Sequence, residues 1–267
     1  MLNFYSKSIS ITFGFVLYSF IAIYPTNISA DTLKIASDEW CPYDCIPNQN
    51  QGKVGYLGDL LVETMKSRGH TVEFVEVSYS RGLELVREGK LDATMACFRE
   101  EAPYFIFPDF ALGKSNSTFF SQKESTWTYT GIDSLKEAKM IGIIAGYDYV
   151  DTTVMDYVNQ KPKNVLAITG EKPLERLLTM LINGRISTII EDKSVLAYKI
   201  NQIGKSDLIK SSGTTNAVID VYSSFSPKNP KSKEYAKILS EETHKMRNDG
   251  RLQKLLEKYG IKDWQTH

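Results

Sequence analysis

Apolar residues along this chain change their spacing repeatedly, from every second position to every third or fourth and back, and that alternation marks out strands and helices. Leu33 and Ile35 open a short strand, after which Tyr56, Leu57, Leu60, Leu61 and Met65 share one helical face that stops at Gly69. Residues 72–77 alternate as a second strand. Leu83, Leu85 and Val86 belong to a second helix closed by Gly89, and residues 91–97 form a largely apolar third strand. The later half repeats the plan, with strands at 140–144, 165–168 and 186–190 and helices at 150–158 and 174–182. Two βαβαβ units predict an α/β protein of two parallel-sheet lobes. A weak internal repeat agrees: Gly89-Lys90-Leu91-Asp92-Ala93 and Gly184-Arg185-Ile186-Ser187-Thr188 each place a helix-ending glycine and a basic residue before a buried strand. Any helix-to-strand turn has that form, so the order of elements carries more weight than the match.

Beyond the second unit come a helix at 193–203, a strand near Leu208 and an extended stretch at 218–224. A C-terminal helical segment follows, in which Tyr235, Ile238, Leu239 and Met246 share a face that Leu252, Leu255, Leu256 and Tyr259 continue past Gly250. A leftover segment after two complete units implies a chain that crosses back. The first lobe is therefore expected at 31–113 and 223–267, and the second at 114–222.

The first thirty residues read as an export signal. Lys7 gives a positive start, residues 9–24 are an apolar run, and Ile28-Ser29-Ala30 ends in small residues suited to cleavage before Asp31. The run is shorter than the ~20 residues a spanning helix needs. With 32 Lys+Arg against 32 Asp+Glu the chain has no net basic character, which excludes general nucleic-acid binding. Its 42% hydrophobic content excludes a disordered tail.

Export changes how the three cysteines read. Cys41 and Cys45, in Trp40-Cys41-Pro42-Tyr43-Asp44-Cys45, are spaced for a small disulfide loop in an oxidising compartment. The gap differs from a thioredoxin-like redox pair, and no second pair completes a zinc site. Cys97, ending an apolar run, reads as a buried small residue. His70, His244 and His267 are scattered, so neither a metal site nor a catalytic residue is assigned.

Four segments, in order, carry a resemblance: Gly55-Tyr56-Leu57-Gly58-Asp59-Leu60-Leu61; Gly89-Lys90-Leu91-Asp92-Ala93; Gly184-Arg185 with Glu191-Asp192; and Met246-Arg247-Asn248-Asp249-Gly250-Arg251 leading to Lys258-Tyr259-Gly260. With the signal peptide, they make the mature chain resemble the periplasmic solute-binding proteins of ABC transporters, amino-acid type, family 3. The resemblance implies the type II periplasmic-binding-protein fold, two lobes joined by a two-strand hinge that enclose a small molecule. It further implies a periplasmic monomer with no cofactor and no catalytic role, partnered by a membrane permease.

In open parallel sheets ligands bind beyond the carboxyl ends of the strands. That rule, with the resemblance, selects Glu39, Trp40, Tyr43, Tyr79, Arg81, Phe98, Arg99, Tyr147, Tyr149 and Asp192 as candidate ligand-binding residues. The plain alternatives are core packing for each tyrosine and a solvated ion pair for each arginine. In the family an aspartate at the place of Asp192 accepts hydrogen bonds from a ligand ammonium; the alternative here is an N-cap for the helix that follows. Two departures stand out. The family's third-strand loop carries Thr and Arg to grip a ligand carboxylate, whereas this chain has Phe98-Arg99-Glu100-Glu101-Ala102-Pro103, with Arg99 or Arg81 as possible substitutes. The family's Gly-Thr in the second lobe is replaced by Gly146-Tyr147-Asp148-Tyr149. The pattern favours an amino-acid-like or cationic solute. Rival functions on the same fold are a periplasmic dehydratase of cyclic amino-acid precursors, using Glu191 and Asp192 as a carboxylate pair, and a ligand-presenting sensor subunit.

Overall fold

The computed structural model describes residues 1–2 and 30–265 of the chain, so the export segment read in residues 1–30 lies almost wholly outside the described residues. Two five-stranded sheets organise the rest. In the first lobe, β1 (Thr32–Ser37) runs parallel to β2 (Thr71–Glu76) and β3 (Ala93–Cys97), joined by α1 (Tyr56–Lys66) and α2 (Tyr79–Glu88). Leu57, Leu60, Leu61 and Met65 bury the inner face of α1 as their spacing requires. Gly89 closes α2 in the left-handed conformation, φ 78°.

The chain then enters the second lobe through two short strands that the spacing of apolar residues does not reveal, β4 (Gly113–Ser115) and β5 (Ser117–Gln122). The second lobe adds α3 (Ile132–Glu137), β6 (Ile141–Ile144), α4 (Thr152–Asn159), β7 (Val165–Ile168), α5 (Pro173–Ile182), β8 (Thr188–Asp192), α6 (Lys193–Gln202) and β9 (Ile209–Thr214). Finally β10 (Ile219–Phe225) returns to the first sheet, and α7 (Ser232–Asn248) and α8 (Arg251–Glu257) pack on it. The sheet orders are β2-β1-β3-β10-β4 and β7-β6-β8-β5-β9.

Both sheets are mixed rather than purely parallel. The segments that pass between the lobes must run back against the others, so β10 is antiparallel to β3 and β4, and β5 to β8 and β9. The passages are short, at Asn116 and at residues 215–218. Asn116 ties them together, its Nδ2 donating to Thr215 O at 3.1 Å and Ala217 O at 2.8 Å.

Several boundaries shift by a residue or two from the sequence reading, as where β3 starts at Ala93 instead of 91. Strand β8 starts at Thr188 instead of 186, because Ser187 and Thr188 both donate to Met140 O at the turn, and it runs on to Asp192 because β5 pairs Ser117 with Asp192. Helix α4 starts two residues late because Asp151 caps it, accepting from Val154 N at 3.2 Å.

Candidate functional site

The loop after β1 is fixed from several directions. Cys41 and Cys45 form a disulfide with Cα atoms 4.7 Å apart, while Cys97 is free and buried. Asp44 turns back into the loop, one carboxylate oxygen accepting from Ser37 Oγ at 2.6 Å and the other from Asp38 N at 2.9 Å. The loop carbonyls of Pro42 and Tyr43 accept the first backbone N–H groups of α1, from Tyr56 at 2.9 Å and Leu57 at 3.1 Å. This contact needs glycine at position 55. Its φ is +82°, and a Cβ there would meet Tyr43 O at 2.3 Å. The result is a rigid ledge presenting Trp40, whose ring stacks on Tyr43 with centroids 4.4 Å apart and meets Phe98 edge-on at 6.2 Å.

The second lobe answers with the end of β8. Asp192 caps α6, its Oδ1 accepting from Ser194 N at 2.8 Å and Val195 N at 3.0 Å. Its Oδ2 takes Ser115 Oγ at 2.8 Å and Asn116 N at 3.1 Å, both at the passage between lobes, with Tyr43 OH at 3.5 Å. Glu191 is 2% exposed and half satisfied. Its Oε1 accepts from Asp192 N at 2.8 Å and, across the cleft, from Trp40 Nε1 at 3.1 Å; its Oε2 is buried with no hydrogen-bond partner. Burial, reinforced by the Asp192 charge, pushes the Glu191 carboxyl up to about 7.

Between the lobes these residues enclose a cavity of about 50 Å³. Its aromatic walls are Trp40 and Phe98 from the first lobe and Tyr147 and Tyr149 from the second, with Tyr79 at the start of α2. Six carboxylates line it, those of Asp38, Asp44, Glu101, Asp148, Glu191 and Asp192, without a lysine, arginine or histidine among the lining residues. Burial also raises Asp38, Glu101 and Asp192, and raises Asp44 strongly. Toward solvent the cavity widens into a vestibule of about 800 Å³ bordered by Glu39, Glu76 and residues 169–173. Lys199 borders it too, paired with Glu175 at 2.7 Å.

Of the residues selected from sequence, Trp40, Tyr79, Phe98, Tyr147, Tyr149 and Asp192 line the inner cavity. Glu39 borders the vestibule and holds the loop, accepting from Ile46 N at 3.0 Å and Asn50 Nδ2 at 2.8 Å. Tyr43 lies behind the cavity with its hydroxyl on Lys114 O at 2.8 Å. Neither arginine is a lining residue: Arg81 is exposed and paired with Glu84, and Arg99 is exposed with its guanidinium over the Phe107 and Tyr222 rings. Sequence reasoning missed Asp44, which reads as filler between two cysteines, and Ser115 and Ser117, which lie in strands too polar to stand out. Glu101 was visible only as one acid in an acidic loop.

Comparison with known proteins places this geometry in a wider set. A family model, that of the bacterial extracellular solute-binding proteins, family 3, matches residues 33–262. No curated protein matches the sequence. Among solved structures, an ABC uptake transporter substrate binding protein from Streptococcus pneumoniae with bound histidine superposes with a TM-score of 0.71 at 17% identity, covering 88% of this chain and 95% of that one. A histidine kinase sensor domain with similarity to periplasmic binding proteins gives 0.69 at 17% identity, over 87% and 98%. The ancestral amino acid-binding protein AncCDT-1, a precursor of cyclohexadienyl dehydratase, gives 0.66 at 19%, over 85% and 95%. At such identities the likeness establishes a shared fold, the two-lobed type II periplasmic-binding architecture.

Proposed function

The chain belongs to the bacterial extracellular solute-binding proteins, family 3, and from that premise we propose that it captures a small cationic solute between its lobes in the periplasm and delivers it, as a monomer, to the permease of an ABC transporter. One observation carries the reading. The interlobe cavity holds a buried carboxylate oxygen without a partner, Glu191 Oε2, in a wall that offers acids and aromatic faces and no basic side chain. An uncompensated buried carboxylate is costly, and a bound cation removes that cost. Trp40 and Glu191 come from different lobes, so a solute seated between them favours the closed arrangement over the open one.

The test is a thermal-shift screen of amino acids, amines and short peptides on purified protein, followed by calorimetric titration and by small-angle scattering for closure. A ligand at about 100 Kd adds ~2.7 kcal/mol of apparent stability. Stabilisation only by anionic solutes would refute the reading. A second reading, catalysis, draws support from the Glu191 carboxyl near 7, the range of a general acid. Turnover of cyclohexadienyl substrates by the purified protein would establish it, and its absence alongside tight, unaltered ligand would leave capture standing.

A further inference from the structure

We infer that the cleft is built for a small organic amine that carries no carboxylate group, with its ammonium seated on Glu191 Oε2. The inference rests on the solute-capture reading above and narrows its ligand. A buried α-carboxylate needs compensating donors that are not already engaged, and the strongest of these are cationic side chains and the N–H groups at helix starts. The cavity wall contains no lysine, arginine or histidine, and the two arginines nearest in sequence lie outside it, on Glu84 and on the Phe107 and Tyr222 rings. The remaining source is the starts of helices that follow strands into the cleft. Beside the inner cavity, the starts of α2, α4 and α6 each have an N–H taken by a carboxylate of the chain itself, while the uncapped start of α5 faces the wider vestibule. Asp38 Oδ2 accepts the first N–H of α2, from Tyr79 at 2.9 Å. Asp151 holds Val154 N of α4, and Asp192 holds Ser194 N and Val195 N of α6. A ligand carboxylate would meet acids where the fold usually offers donors.

For an ammonium the same wall is complementary. Glu191 Oε2 is a buried acceptor with no partner, and Trp40, Phe98, Tyr147 and Tyr149 supply ring faces that attract a desolvated cation. Glu101 from the first lobe and Asp148 from the second line the same small cavity, and the Asp148 charge is among the causes that raise Glu101. Closing the lobes on an empty or anionic content brings these like charges together, whereas a cation between the lobes offsets the repulsion.

Matched pairs differing only by the α-carboxylate test the inference: agmatine with arginine, 1,5-diaminopentane with lysine, and histamine with histidine, each titrated calorimetrically into the mature wild-type protein and into Glu191→Gln. The expected result is at least one amine binding 10-fold or more tightly than its parent amino acid, with that affinity lowered 30-fold or more in Glu191→Gln while circular dichroism shows the variant folded. An amino acid that binds as tightly as its decarboxylated partner would overturn the inference and leave solute capture intact. Tight amine binding undiminished in Glu191→Gln would overturn the assigned seat. Failure of all six compounds to bind would overturn the inference together with capture of a cationic solute.

Discussion

Replacing Glu191 by glutamine should make the unliganded protein more stable at pH 8 and leave it nearly unchanged at pH 5. The carboxyl sits at about 7 in the folded protein against an ordinary 4.5. A folded value above the unfolded one means the folded state holds its proton more tightly. The associated stability is full below about pH 4.5 and is lost as pH rises through about 7. The gap corresponds to about 3 kcal/mol at pH 8. Glutamine remains neutral and keeps an acceptor for Asp192 N and Trp40 Nε1, while its amide NH₂, placed where Oε2 has no partner, returns about 1 kcal/mol of cost. The net gain is about 2 kcal/mol, or ~4–8 °C in Tm for a chain of this size. Differential scanning calorimetry of both proteins at the two pH values reads it directly. A variant less stable than wild type at pH 8, or a difference of equal size at both pH values, would refute the picture of an uncompensated carboxylate. On the proposed reading, the arrangement gives up resting stability in exchange for affinity, as binding sites commonly do.

Other consequences are as accessible. Asp192→Ala removes the α6 cap and the bonds to Ser115 and Asn116, and should cost ~2–4 kcal/mol in urea denaturation; it should also weaken solute binding at least ~30-fold if Asp192 contacts the ligand, and full affinity in a folded variant would confine its role to capping and the hinge. Serine at both Cys41 and Cys45 should lower stability by ~2 kcal/mol, the chain-entropy value for so short a loop, and peptide mass spectrometry of exported wild-type protein should find that bridge with Cys97 unpaired. Gly55→Ala should cost ~2 kcal/mol or more through its left-handed backbone and the Tyr43 carbonyl against its Cβ; an unchanged midpoint would show that the ledge yields easily.

The two lobes and their alternating elements were legible because α1, α2 and α5 bury one face and β3 is buried throughout, so spacing alone marks them. The passages between lobes were harder. Ser115, Ser117 and Thr118 are buried polar residues in β4 and β5, and their sequence reads as loop because hydroxyls satisfied inside a sheet leave no apolar signature. Within the site, strand ends gave Trp40, Tyr79, Phe98 and the two tyrosines after β6. Which acid is left unpaired was not readable: Glu191 and Asp192 are neighbours in sequence, and only the three-dimensional arrangement shows that hinge and helix satisfy one and leave the other open. The arginines misled for a similar reason, since an exposed partner or a ring face competes for a guanidinium as well as a ligand does.

Because Asn116 fastens the two passages to each other, these connections favour a swing of the second lobe about that point over a slide along the first. In a swing, travel grows with the lever arm, and the order of strands sets the arm. From β5 outward come β8, β6 and β7, each about 4.8 Å further from the pivot. A swing of about 20° would carry Glu191 by roughly 2 Å, Tyr147 and Asp148 by roughly 3 Å, and the rim after β7 by roughly 5 Å. Spin-label distances across the cleft should show this gradient, and uniform separation would contradict it. Such a swing would open the cleft first at residues 169–173 and part the Trp40–Glu191 contact beside the pivot last.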